Sequence, residues 1–297
     1  MTVDLSHEHI LSHALPAAGL AHPAHRASPV RIAENAVYRL PGTIVRIARP
    51  GQADAARREV AVARWLADHR VPAVRPLDID QPVLVDDQAV TFWAELPEHT
   101  HGTVDDVAHL LRRLHALPAP DHLDLGRLDP FVRLHTRIAD ATGHLPDEDL
   151  RWLSAHTRHL HQQWEHLPPG QPQSVVHGDA WTGNVARCAD GTAVLLDLER
   201  CSIGPVEWDL VSTAIKASTV PWLDQDDYAR FVQAYGGYDV TAWPGFILMR
   251  DIRELRMTLY CAQHAGADPK MQAQARLRID CLRGRRGGRP WHWAPAL

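Results

Sequence analysis

SVVHGDAWTGNVARCADGTAVLLDLERCSIGPVEWDL, residues 174–210, decides the fold of this chain. Its apolar start SVV runs into the loop HGD, and NVAR and TAVLLDL, separated by the turn residues CADG, read as the two strands of a hairpin. Such a hairpin returns Asp197, at the end of its second strand, towards Asn184 at the start of its first. Asp179 stands five residues before Asn184. An acid, an amide and a second acid in this order suit the handling of a metal-bound polyphosphate. Amide and carboxylate oxygens hold a hard divalent cation, and a further carboxylate orients a hydroxyl and accepts its proton. Phosphoryl transfer asks for little covalent chemistry from the protein, so well-placed oxygen donors suffice.

With the GP and DL of residues 204–210 added, the ordered set His177, Gly178, Asp179, Asn184, Asp197, Gly204 and Asp209 resembles the aminoglycoside phosphotransferase family and its protein-kinase-like relatives. The resemblance implies an α+β, bilobal protein-kinase-like fold, with an antiparallel-sheet N-lobe over residues 1–96 and a mostly helical C-lobe over 97–297. It also implies ATP or GTP and Mg2+ as cofactors, with a small-molecule hydroxyl as acceptor. Asp179 then takes the part of catalytic base, and Asn184 and Asp197 become metal ligands. Glu199 lies two residues past Asp197 and would share its face if the strand continued, so it stands either as a further metal contact or as an ordinary loop carboxylate. His177 is expected to organise the loop, and Asp209 to accept backbone N–H bonds that hold it.

The N-terminal third is compatible with such a lobe. PVRIA, AVYRL and TIVRIAR alternate apolar and polar residues as strands do, with turns at AEN and PG. ADAARREVAVARWLADH has helical spacing through Ala56, Val60, Ala63 and Leu66, and PVLVD and AVTFWAEL follow as strands. By the resemblance, Arg46 falls where a phosphate-contacting lysine is expected and Glu59 where its ion-pair partner sits, with Arg39 and Arg49 as neighbouring competitors. An arginine keeps the charge but presents a planar fork instead of a point. AENAV lacks the glycines that protein kinases place over the phosphates, which leaves Asn35 as a turn residue or a ligand. The backbone of Trp93, Ala94, Glu95 and Leu96 is the implied adenine hinge, and LPEHTHG reads as the turn beyond it.

After that turn, TVDDVAHLLRRLHALPAP has Thr103 as N-cap, early acids and a stripe at Val107, Leu110, Leu111 and Leu114. Beyond Asp197 the chain reads as helices over VEWDLVSTAIKAS, LDQDDYARFVQAYGG, WPGFILMRDIRELRMTLYCAQHA and KMQAQARLRIDCLRG. At 297 residues and 45% hydrophobic, the chain can build substantial cores, and a net charge of −5 gives no reason to expect nucleic acid. RGRRGGR, residues 283–289, reads as a solvated basic tail. The four cysteines form no CxxC pair, no signal-peptide pattern opens the chain and no 18-residue apolar run could span a membrane; a cytoplasmic location with no membrane partner is expected. The 20 histidines include a run on a helix at 156, 159, 161 and 166 that mixes faces and makes a poor metal site.

By the same resemblance the acceptor is expected to be cationic, an aminoglycoside or another antibiotic. The acids Asp224, Asp226, Asp227, Asp251 and Glu254 are a candidate attracting rim. Trp181 makes the loop HGDAWTGN similar to that of fructosamine kinases, so a metabolic kinase of ketosamines, sugars or amino alcohols is the alternative. A nucleotide-binding module without catalysis is the reading from another class, prompted by the missing glycines and lysine.

Overall fold

A computed structural model describes residues 5–32 and 35–296. In chain order it contains helix α1 (Leu5–Ala17), strands β1 (Ser28–Ile32), β2 (Ala36–Leu40) and β3 (Thr43–Ile47), and helix α2 (Ala53–Asp68). Strands β4 (Val83–Val85), β5 (Gln88–Ala94) and β6 (His99–His101) precede helices α3 (Val104–His115), α4 (Leu134–Asp140) and α5 (Asp147–Trp164). Strands β7 (Ser174–Val176), β8 (Val185–Cys188), β9 (Ala193–Leu195) and β10 (Ser202–Gly204) follow. Helices α6 (Glu207–Ser218), α7 (Gln225–Tyr235), α8 (Phe246–Gln263) and α9 (Pro269–Leu282) complete the order. Contacts group these elements into two compact units, Met1–Gly126 with Trp181–Ile203, and Arg127–Ala180 with Gly204–Leu297.

The first unit is built on an antiparallel sheet of order β1-β2-β3-β5-β4. Alternation in AVYRL and TIVRI puts Tyr38, Leu40, Val45 and Ile47 on one buried face, where Ile10, Leu11 and Leu15 of α1 join them. Each leucine so buried contributes roughly 1.5–3 kcal/mol relative to exposure. Pro41 and Gly42 form the two-residue connection between β2 and β3, with Gly42 at φ 72°, a conformation that costs a side-chain-bearing residue. The AEN turn falls partly on residues 33 and 34, which lie outside the described residues. Helix α1 has no counterpart in the sequence reading, because its histidines and serines blur the apolar stripe.

A second sheet, β6-β8-β9, carries the hairpin read from NVAR and TAVLLDL, with Val185 opposite Leu195 and Arg187 opposite Ala193. Its third strand is a correction: His99–His101, read as a turn, pairs antiparallel with β8. These three residues are exposed at a sheet edge, so no alternation of burial marks them. Gly102 sits against the same strand, where a Cβ would lie 2.5 Å from Val185 Cγ1.

The second unit packs α4, α5, α6 and α9 around α8, whose Met249, Ile252, Leu255 and Leu259 are fully buried. Trp208 of α6 is buried with the guanidinium of Arg253 3.9 Å from its ring centroid. The basic run is solvent-exposed over residues 284–288, as expected, but its end arginines are half-buried and its charges are paired. Arg283 pairs with Glu148 and with Asp149 (2.7 Å), Arg286 with Asp280 (3.2 Å), and Arg289 with the buried Glu254 (2.5 Å). Acids distant in sequence supply the partners of Arg283 and Arg289, which no local pattern reveals. The four cysteines are buried free thiols, and no helix among the described residues is long and apolar enough to cross a membrane.

Candidate active site

Asp179 is presented by a turn that Asp209 and Trp208 of the same unit hold. The backbone N–H groups of His177 and Gly178 donate to the two carboxylate oxygens of Asp209, at 2.7 and 2.8 Å. Gly178 adopts φ 85°, where only glycine is at ease, and its carbonyl accepts from Trp208 Nε1 at 3.0 Å. His177 is fully buried and its Nδ1 faces the N–H of Asp179 at 3.3 Å, a loop-internal position away from solvent. Asp209, also fully buried, accepts at the first turn of α6, where the helix dipole favours a negative charge. The half-buried Asp179 thus follows a backbone that cannot easily rotate.

In the first unit, Asn184 and Asp197 meet at the open end of the β8–β9 hairpin. The N–H of Leu196 donates to the carbonyl of Asn184 at 2.9 Å, which sets Asp197 one residue beyond that pair. Asp197 is held at φ 55°, an uncommon left-handed conformation for a residue with a side chain, and its Oδ1 is shielded from solvent. Amide and carboxylate oxygens of this kind would suit a hard divalent cation such as Mg2+. Among the described residues no group of three or more His, Cys, Asp or Glu is arranged to hold a metal alone. Trp181 packs over Gly183, where a Cβ would lie 2.3 Å from its ring.

Arg46 and Glu59 are brought together. Arg46 Nη1 donates to both oxygens of Glu59, at 2.6 and 2.7 Å. Its Nη2 donates to Glu199 at 2.5 Å. Asn35, with its amide oxygen turned towards the guanidinium, accepts from Nη2 at 2.5 Å and Nε at 3.1 Å. Glu199 therefore lies beside Arg46; the strand that was to align it with Asp197 ends at Leu195, and residues 198–200 form a single 3-10 turn. Burial pushes the Glu59 carboxyl up to about 7 even though Arg46 pulls it down, with the Asp197 and Glu199 charges adding to the push. Burial alone would lower Arg46, but Glu59, Glu199 and Asp197 outweigh it and raise it. Both groups are thus shifted upward, and Arg46, faced by three acids, keeps its charge.

The implied hinge residues close the β5 strand. Trp93 is buried with its Nε1 donating to Thr91 at 2.9 Å, and Ala94 N–H donates to the carbonyl of Arg75 at 2.8 Å. Glu95 N–H donates to Gly42 O at 3.1 Å, while its carboxylate accepts from Arg39 at 2.8 Å and Gly42 N–H at 3.1 Å. Leu96 packs against Ala186, Cys188 and Val194. Arg39 is engaged in this clamp.

Two contributors escaped the sequence reading. Arg253 of α8 donates to the carbonyl of Trp208 at 2.6 Å and so steadies the residue that holds Gly178. Lys216 of α6 is half-buried, and burial lowers its ammonium to about 8, against the opposing pull of Asp179 and together with Arg253. Lys216 lies seven residues after Asp209, two helical turns along the same face, which is the one signal that could have found it. The acid rim is largely consumed by structure: Glu254 is buried on Arg289 and Thr219, Asp251 pairs with Arg250 (2.9 Å), Asp224 caps α7 and Asp227 pairs with Arg230 (2.5 Å).

An antiparallel sheet near the N-terminus, a helical C-terminal region and these loops define a protein-kinase-like fold. The sequence profile of the phosphotransferase enzyme family matches residues 27–246, and the chain belongs to that family; it is a phosphotransferase acting on hydroxyl groups of small molecules. Among solved structures it is similar to a choline/ethanolamine kinase family protein of Mesorhizobium loti, at 16% identity and TM-score 0.63, covering 94% of this chain and 93% of that one. It is also similar to an amicoumacin kinase in complex with AMP-PNP and Ca2+, at 13% identity and TM-score 0.67 over 88% and 89% of the two chains. A third is the aminoglycoside phosphotransferase APH(3'')-Id of Streptomyces rimosus, at 22% identity and TM-score 0.59 over 84% and 98%. Identities this low carry the fold and not the acceptor. No protein of curated function matches the chain.

Proposed function

We propose that the protein transfers the γ-phosphoryl group of ATP, bound with Mg2+, to a hydroxyl of a small cationic molecule of the aminoglycoside-like antibiotic class. The observation that carries this reading is the turn before Asp179, whose two N–H groups are pinned on Asp209 in a chain of the phosphotransferase family. Asp179 orients the acceptor hydroxyl and takes up its proton as the oxygen attacks phosphorus. Asn184 and Asp197 hold the Mg2+, which supplies charge neutralisation for the phosphate oxygens when bound. Arg46 meets a nucleotide phosphate, Glu59 keeps the guanidinium aimed, and the backbone over Trp93, Ala94, Glu95 and Leu96 receives the base. The dependence on ATP favours the cytoplasm as the place of action.

A metabolic acceptor, such as an amino alcohol, sugar or ketosamine, is the second reading. It is favoured by the consumption of Asp251 and Glu254 in internal ion pairs, which removes much of the charge that a polycation would seek. The test is a coupled assay of ADP release across aminoglycosides, other cationic antibiotics, amino alcohols, sugars and ketosamines, with Asp179→Asn as control. Turnover with a polycation, with kcat/KM falling as salt rises, supports the first reading. A neutral acceptor with higher kcat/KM supports the second. Nucleotide binding without turnover on any panel would reduce the protein to a binding module.

A further inference from the structure

Arg46 has five N–H donors, and all five are engaged: two on Glu59, two shared between Glu199 and Asn35, and Nε on Asn35. Its two acidic partners are not alike. Glu59 projects from α2 with a side chain 6% exposed, enclosed by the fold. Glu199 projects from the 3-10 turn after Asp197 with a side chain 29% exposed, so one flank of the pair is open to solvent. With both glutamates ionised, one guanidinium faces two negative charges, and Asp197 is close enough to act on both Arg46 and Glu59. A lysine could not serve two carboxylates through separate coplanar edges, whereas an arginine fork can.

On the reading that Arg46 meets nucleotide phosphate, we propose that Glu199 is a specificity-determining residue: it occupies the Nη2 edge of Arg46 as an internal anion and selects the metal-bound nucleotide over the metal-free polyanion. A phosphate oxygen reaching Nη2 must replace the Glu199 carboxylate, and it arrives among like charges. Metal-free ATP brings the most negative charge and no compensation. A nucleotide that carries a divalent cation brings a counter-charge for the displaced carboxylate, so the exchange is nearly balanced. The same contact would discriminate against inorganic tripolyphosphate and other free polyanions.

The test is calorimetry of the full-length protein, wild type and Glu199→Gln, titrated with ATP in EDTA and with ATP in excess Mg2+. Glutamine keeps the length and removes the charge. Glu199→Gln should bind metal-free ATP about tenfold more tightly, a change on the scale of one charge-assisted hydrogen bond, and the preference for Mg–ATP should shrink by a similar factor. Tripolyphosphate without metal should gain in parallel, and the gain should vanish when Arg46→Met is added. Glu199→Ala provides a second variant with the same expected direction, and far-UV circular dichroism confirms that each is folded. If wild type binds Mg–ATP but neither variant gains for metal-free ATP, the inference falls and the proposed function stands. Loss of Mg–ATP affinity in Glu199→Gln with no gain in EDTA would make Glu199 a metal ligand instead. Failure of wild type to bind ATP with or without Mg2+ would sink the nucleotide reading and this inference together.

Discussion

At the scale of single residues, Asp179 and Glu59 carry the sharpest tests. Asp179→Asn keeps the shape of the side chain and removes its basicity. Turnover should fall about 100-fold or more while nucleotide affinity changes only a few-fold, the signature of a group that acts in the transition state. Steady-state kinetics beside calorimetry read the two separately, and near wild-type turnover would remove Asp179 from the mechanism. Glu59 makes a different prediction. Its folded carboxyl titrates near 7 against an ordinary 4.5, so between those values the folded state holds a proton that the unfolded chain has released. Stability contributed by that protonation is present below about 4.5 and is lost as pH rises through 7. Urea unfolding should therefore show wild type losing stability relative to Glu59→Gln from pH 5 to pH 8; parallel curves would show that Arg46 keeps the carboxylate ionised throughout.

At the scale of elements, the helix starts hold the loops. Thr103 and Asp106 form a reciprocal cap on α3, with Asp106 N–H on Thr103 Oγ1 at 3.2 Å and Thr103 N–H on Asp106 at 2.8 Å. The same carboxylate accepts from Arg187 of β8 at 2.6 Å, so the cap ties α3 to the hairpin that bears Asn184. Thr103→Ala should cost about 1 kcal/mol in denaturant unfolding, the usual loss for a cap. Asp209→Ala is the harsher change, because it strands two buried N–H groups at about 1–3 kcal/mol each. It should also lower kcat more than it raises nucleotide KM, since the turn before Asp179 loses its anchor; an unchanged kcat in a folded variant would show that the turn holds its shape alone.

At the scale of the whole molecule, the two units are interleaved along the chain. Residues 181–203 supply β8, β9 and the 3-10 turn that packs on α2 to a unit whose remainder ends at residue 126. A fragment of residues 1–126 lacks those strands, and the α2 and α3 surfaces that they pack against are left uncovered. Expressed alone, it should melt without a sharp transition by circular dichroism, because its core is incomplete. A cooperative melt like that of the full chain would show that the first sheet and α1 suffice.

Residue order along 174–210 made the kinase-like fold legible through its family resemblance, because the acid, the amide, the hairpin between them and the anchoring Asp209 are all encoded within one short stretch. Strand alternation in AVYRL and TIVRI, and the cap and stripe of α3, were legible for the same reason: period and cap are local signals. The partners of Arg46 were only half legible. Glu59 follows from the resemblance, but Glu199 is 153 residues away and Asn35 sits in a turn with no diagnostic pattern. Edge strand β6 and the ion pairs of Arg283 and Arg289 likewise depend on distant partners. Long-range pairing of charges and edges is decided by packing in three dimensions, and tertiary structure alone assigned Arg46 its second carboxylate.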